Sequence, residues 1–219
     1  MPRLLFEKTG KAVWISHLDL MRLFQRAFKR AGLALTHTQG FNPRPSVSIA
    51  LPLSVGVESQ CELLDFELDG NSIPLDEIAE RLNNALIPGV RVLSVYNSGR
   101  KLKELALLEC TVALEYDNGV PQDAAQEIGK LFSQESIIVA KKTKNGMQEQ
   151  DIRPMIREFE IERKGDIVLQ LRAMICAQNP TLNPAQLTGA IRLYKLGYYP
   201  NHTRCKRIEI YDSQGEVFR

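Results

Sequence analysis

The sequence predicts an α+β fold made of two tandem ferredoxin-like halves, each running β-α-β-β-α-β around an antiparallel sheet. Three observations predict it: short apolar runs of strand length, two amphipathic helical stretches in each half, and a connector at Ser98-Gly99-Arg100-Lys101 after which the same order begins again. A chain of 219 residues, 44% hydrophobic and 25% charged, has enough apolar surface to bury for two such cores and is not the composition of a disordered protein. The expected halves are 1–98 and 104–219, the second with one extra strand.

In the first half, Arg3 to Glu7 and Lys11 to Ile15 read as strand or hairpin arms around Thr9-Gly10. Ser16 is placed to cap a helix whose Leu20, Leu23, Phe24, Ala27, Phe28 and Ala31 form one apolar stripe, with Asp19 in the first turn and Gly32 as the stop. Val47 to Leu53 and Glu62 to Leu68 read as strands, Pro74 to Leu86 as an amphipathic helix and Val90 to Tyr96 as a strand. In the second half the strands are Leu107 to Tyr116, Ser136 to Lys141, a hairpin of 152–161 with 166–174 turning at Arg163-Lys164-Gly165, and Arg207 to Tyr211. Its helices are Pro121 to Phe132 and a last one opened by Asn183 as cap and Pro184 at the first position.

The net charge of +2 conceals an uneven distribution. Residues 1–57 carry eight Lys/Arg against two acids, while residues 58–80 carry eight acids and no Lys or Arg. Distribution selects partners more than the total does. On the first helix Arg22, Arg26, Lys29 and Arg30 lie on the side away from the apolar stripe. A second basic cluster, Arg192, Tyr194, Lys195, Tyr198, Tyr199, Arg204, Lys206 and Arg207, interleaves cations with tyrosines. Its tract Gly197 to Asn201 reads as a loop where rings are free to stack on bases.

The sharpest local signal is Gln39-Gly40-Phe41-Asn42-Pro43-Arg44-Pro45. Asn42 and Arg44 each precede a proline, whose ring pushes them to extended backbone, so the loop is stiff and offers Phe41 and Arg44 in a fixed direction. An aromatic ring, a guanidinium and two amides in one rigid loop match the way single-stranded RNA is held, by stacking plus phosphate contacts. The rival reading is a loop that only connects.

His17, just inside the helix start, is either part of the cap or a contact to an anion at the positive helix end. His37 and His202 have no neighbours at metal-ligand spacing, and no metal, cofactor or catalytic set is assigned. Glu58, Glu62, Asp65 and Glu67 read as a docking face for a basic partner rather than a metal site. Cys61, Cys110, Cys176 and Cys205 are isolated and form no C-x-x-C pair, which suits buried thiols in a reducing compartment. With no signal pattern and no apolar run of membrane-spanning length, the expected location is the cytoplasm, away from membranes.

At Lys8-Thr9-Gly10, Ser16-His17-Leu18-Asp19-Leu20, the Gln39 to Pro45 loop and Leu51-Pro52-Leu53-Ser54-Val55-Gly56-Val57-Glu58-Ser59, the chain resembles the radical-SAM-associated family. That family is a bacterial domain of unknown function, fused to or encoded beside cobalamin-binding radical S-adenosylmethionine proteins. The resemblance implies an accessory role beside a radical SAM partner and supplies no catalytic residues. The chain has no C-x-x-x-C-x-x-C, so an iron–sulfur cluster would belong to the partner.

The expected function is a non-catalytic RNA-binding accessory protein acting on tRNA or rRNA. Its expected RNA contacts are His17, Arg22, Arg26, Lys29, Arg30, Gln39, Phe41, Asn42, Arg44, Tyr198, Tyr199, Arg204 and Lys206. Two rivals stand beside it: a docking subunit without RNA contact, and an RNA-processing enzyme using His17 or His37.

Overall fold

The structure, a computed structural model, describes residues 2–70, 73–143 and 146–219. It is an α+β protein with antiparallel sheets and, among the described residues, four α-helices. Packing divides the chain into two compact units, residues 1–104 with Arg219 and residues 105–218.

The first unit runs β1 (Pro2–Lys8), α1 (His17–Arg30), β2 (Val47–Ile49), β3 (Val57–Phe66), α2 (Leu75–Ala85) and β4 (Val90–Asn97). Its strands lie in the order β4-β1-β3-β2, every neighbour antiparallel. The helix boundaries follow from local chemistry. Ser16 sits in extended backbone and its hydroxyl accepts from the Asp19 amide at 3.2 Å, while Gly32 takes the left-handed φ of +70° just past the end. The apolar stripe Leu20, Phe24, Ala27 and Phe28 is buried as the spacing requires. Phe24 meets Phe6 of β1 edge to face with ring centroids 4.7 Å apart, and Phe28 meets Phe66 of β3 at 5.0 Å.

One expected strand is absent. Lys11 to Ile15 is not an extended arm: Gly10–Trp14 forms a 3-10 turn. The reason is tertiary. The Thr9 amide donates to Gly89 O at 2.7 Å, and a Cβ on Gly89 would sit 2.5 Å from Thr9 O, so only glycine lets these segments approach.

The second unit runs β5 (Leu105–Glu115), α3 (Ala124–Phe132), β6 (Ile138–Thr143), β7 (Gly146–Asp151), β8 (Ile156–Arg163), β9 (Val168–Cys176), α4 (Ala185–Tyr194) and β10 (His202–Asp212). Its sheet order is β10-β5-β9-β8, again antiparallel throughout. The strand expected at Ser136 to Lys141 does not join this sheet. As β6 it pairs with β7 in a separate hairpin, Ile138 opposite Asp151. The polar Met147-Gln148-Glu149-Gln150 carries too little apolar signal for β7 to be legible in sequence. The last helix starts one residue later than expected, so that Pro184 and not Asn183 is its N-cap; the Asn183 side-chain oxygen, one position earlier, accepts from the Ala185 amide at 3.0 Å.

Salt links fix α3 to the segment after α4. Glu127 accepts from Lys130 and from Lys195, each at 2.6 Å, and these hydrogen bonds hold its carboxyl at about 2, below the ordinary 4.5. Because the folded value is the lower one, this contribution to stability is complete above about pH 4.5 and is lost as pH falls through 2. Acid unfolding of a Glu127→Gln variant, followed by circular dichroism, is expected to be flatter between these limits than that of the wild type. Superimposable acid limbs would contradict the link.

Candidate nucleic-acid interface

The Gln39 to Pro45 loop is stiffer than its prolines alone make it. His37 bridges Pro45 across the stem, the Thr38 amide donates to Arg44 O at 2.8 Å, and the Arg44 amide donates to the Thr38 hydroxyl at 3.1 Å. Ser46 N to Thr36 O, 2.8 Å, closes the base. The tip bends at Gly40, φ +136°, and carries Phe41 fully exposed at 103% of its reference area. Gln39, Asn42 and Arg44 are exposed beside it.

Below the stem, a groove of about 520 Å³ is lined by Gln25, Lys29, Leu33, Leu35, His37 and Pro45. It joins the C-terminal half of α1 to the loop. Two sequence signals more than ten positions apart thus become one surface. Arg22, Arg26 and Lys29 lie on a single exposed side of α1, as steps of four and three residues require. Arg22 pairs with Asp19 at 3.0 Å, but both side chains are more than half exposed and the pair is easily exchanged. The Ser16 hydroxyl and then Arg22 hold the Asp19 carboxyl below its ordinary range.

Arg30 does not belong to this side. Its guanidinium donates to Ala85 O, the end of α2, at 2.6 Å, and it borders a different groove with Arg81 and Asn84. His17 is half-buried, and its Nδ1 is enclosed with no hydrogen-bond partner among the described residues. No group of three His, Cys, Asp or Glu among the described residues is arranged to hold a metal ion. Nor is any helix among them long and apolar enough to cross a membrane.

The second basic cluster is largely committed within its own unit. Tyr198 is not a free ring: its hydroxyl donates to Asp123 at 2.7 Å and its carbonyl accepts from Tyr116 at 2.8 Å. Arg204 donates to Glu115 at 2.5 Å, Lys195 is bound to Glu127 as described, and Lys206 is half-buried. Tyr199 is exposed with Arg192 above its ring at 5.7 Å. Of the two tyrosines expected to stack from this loop, Tyr199 stays exposed beside Arg192, while Tyr198 is tied to groups distant in sequence.

The expected acidic face contracts in the same way. Glu62 is only 3% exposed, Asp65 is bound by the buried Arg3 at 2.5 and 3.0 Å, and Glu67 accepts from Thr36 at 3.2 Å. Glu58 is half-buried. A stretch with no cation of its own is neutralised in part by β1, which the register sets directly opposite, Arg3 against Asp65.

Sequence reasoning missed two features. Lys8 is wholly buried, at 0% exposure, its ammonium donating to Val13 O at 3.1 Å and to Ile15 O at 2.8 Å. In the second unit Glu109 is buried, accepting from Tyr211 Oη at 2.7 Å and Arg172 Nε at 2.6 Å at the floor of a groove of about 620 Å³ that Arg153 and Arg157 also line. Burial and the Glu109 carboxylate push the Tyr211 hydroxyl up to about 12. Cross-strand register was the only signal for this cluster: Glu109 is paired with Met174, two positions from Arg172.

The described residues form an antiparallel α+β chain with a basic helix beside a rigid loop that carries an exposed aromatic ring. Residues 2–184 match a family described as an uncharacterized protein conserved in bacteria, DUF2344, and the chain belongs to that family. No curated protein matches it. Among solved structures it is similar to a chain of a Cbf5-Nop10-Gar1 complex, at 9% identity and a TM-score of 0.54 over 95% of this chain. It is also similar to a chain of an H/ACA RNP bound to a substrate RNA containing 2′-deoxyuridine, at 9% identity and a TM-score of 0.53 over 98% of this chain. In both cases the match covers 48% of the other chain, so this protein spans about half their length, and the likeness is one of fold.

Proposed function

We propose that this protein is a non-catalytic RNA-binding accessory protein. It grips a segment of tRNA or rRNA on the first unit, while a radical SAM protein supplies the chemistry. The observation that carries this reading is Phe41, fully exposed on a hydrogen-bonded stem above a groove that Lys29 and His37 line. An aromatic ring held out rigidly into water loses little entropy when a base stacks on it, and cations alongside neutralise the phosphates. His17, Gln39, Asn42 and Arg44 complete the expected contacts. Tyr199, Arg204 and Lys206 are kept as secondary ones, and Arg30 and Tyr198 are set aside. One structural neighbour is a chain of an RNP bound to a substrate RNA, which is in keeping with this at the level of fold. We also read each unit as a ferredoxin-like half, the second interrupted by the β6–β7 hairpin, and the cytoplasm as its location.

The docking reading, in which the acidic stretch 58–80 and the Gln39 to Pro45 loop meet the partner, is the weaker, since Glu62 and Asp65 are not free charges. Phe41→Ala tests the proposal. It is expected to cost about 1–3 kcal/mol of affinity for a single-stranded oligoribonucleotide, read by fluorescence anisotropy, with an unchanged melting temperature. A core phenylalanine would instead lose about 3–5 kcal/mol of stability. Unaltered RNA affinity in the variant removes the loop from the interface.

A further inference from the structure

Trp14 is the only tryptophan of the chain and is 72% exposed, an unusual place for so large an apolar side chain. Its backbone is fixed from both sides. The buried Lys8 ammonium holds the carbonyls of Val13 and Ile15, the two residues flanking it, and the Gly56 amide donates to Val13 O at 2.9 Å. The indole is supported as well. A Cβ on Gly56 would lie 3.5 Å from its six-membered ring, and Gly56 adopts φ +83°, where side chains are disfavoured. Leu18 and Val55 are exposed in the same two segments.

Trp14 comes just before α1, and the Phe41 loop follows its far end. The 14 residues of α1 extend about 20 Å, and Arg22, Arg26 and Lys29, which fall between Trp14 and Phe41 in sequence, are exposed along one side of it. The acid of this stretch, Asp19, is engaged by Ser16 and Arg22.

We propose that Trp14 is a second stacking platform, so that one RNA single strand is held by a base at each end of α1 with its phosphates on the cations between them. This rests on the RNA-binding reading above and narrows its ligand to an unpaired strand, of about four nucleotides or more at the site itself. A duplex cannot serve, because its bases are already stacked on one another. Charge decides between RNA and a protein as occupant: the exposed side of α1 offers a line of cations that phosphates match.

The test uses the full chain, a 5′-labelled 12-nucleotide single-stranded oligoribonucleotide of mixed sequence, and its duplex. Because Trp14 is the sole tryptophan, its emission reports on one site. Emission is expected to be quenched with the same midpoint that anisotropy gives. Trp14→Ala is expected to weaken binding roughly five- to a hundredfold, and Trp14→Phe to retain most of it. Should Trp14→Ala not fold, Trp14→Ser and the wild-type emission carry the test. RNA binding with unquenched emission, equal affinity of the folded alanine or serine variant, or equal affinity for the duplex overturns the Trp14 inference and leaves the RNA-binding function standing. Absence of RNA binding at any salt concentration overturns both.

Discussion

Replacing Lys8 by Met is expected to destabilise the first unit by about 3–5 kcal/mol. Each hydrogen bond from an ammonium to a carbonyl is worth ~1.5–3 kcal/mol, and Lys8 makes one to Val13 O and one to Ile15 O at 0% exposure. Met keeps most of the aliphatic stem, so the loss is that of the polar end and not of packing. Against a total stability of typically ~5–15 kcal/mol for a domain, this is a large fraction. Urea unfolding followed by the emission of Trp14, which the lysine braces, measures it in the relevant unit. A midpoint unchanged from wild type would mean that other groups hold the turn.

A chain with Arg22, Arg26 and Lys29 all changed to Gln is expected to lose most of its salt-dependent RNA affinity. Each phosphate contact to a single strand contributes ~0.7 to the slope of log K against log salt, so three lost contacts flatten it by about 2. That corresponds to about a hundredfold in affinity for each tenfold change in salt. The three side chains are exposed and the one ion pair among them, with Asp19, is a surface pair, so stability should hardly change. An unaltered slope in a folded variant would take α1 out of the RNA path.

Much of the first unit was legible along the chain because the forces that shape it are local. The Ser16 cap, the three- and four-residue spacing of Leu20, Phe24, Ala27 and Phe28, and the Gly32 stop define α1 within one or two residues. Part of the stiffness of the Phe41 loop is legible in Pro43 and Pro45, while the hydrogen bonds that close its stem are not. The hairpin β6–β7 was not legible, since polar strands carry no period-two apolar pattern. The 3-10 turn at Gly10–Trp14 was not legible either, because one of its anchors, the bond from the Thr9 amide to Gly89 O, comes from far along the chain.

The sequence by itself determined the amphipathic helices, the stiff loop, the concentration of cations before residue 58 and the absence of clustered cysteines, all properties of residues near one another in the chain. Only the tertiary structure decided which charged and aromatic groups remain free. Arg3 and Asp65 are separated by 62 positions and Lys195 and Glu127 by 68, and each neutralises the other. Tyr198 is tied down, Glu62 is buried, and Trp14 is left in water on a turn that a buried lysine holds. The physical reason is that a charge or ring is spent by whatever lies within about 3 Å of it, and in an antiparallel sheet that neighbour is set by register and not by sequence distance.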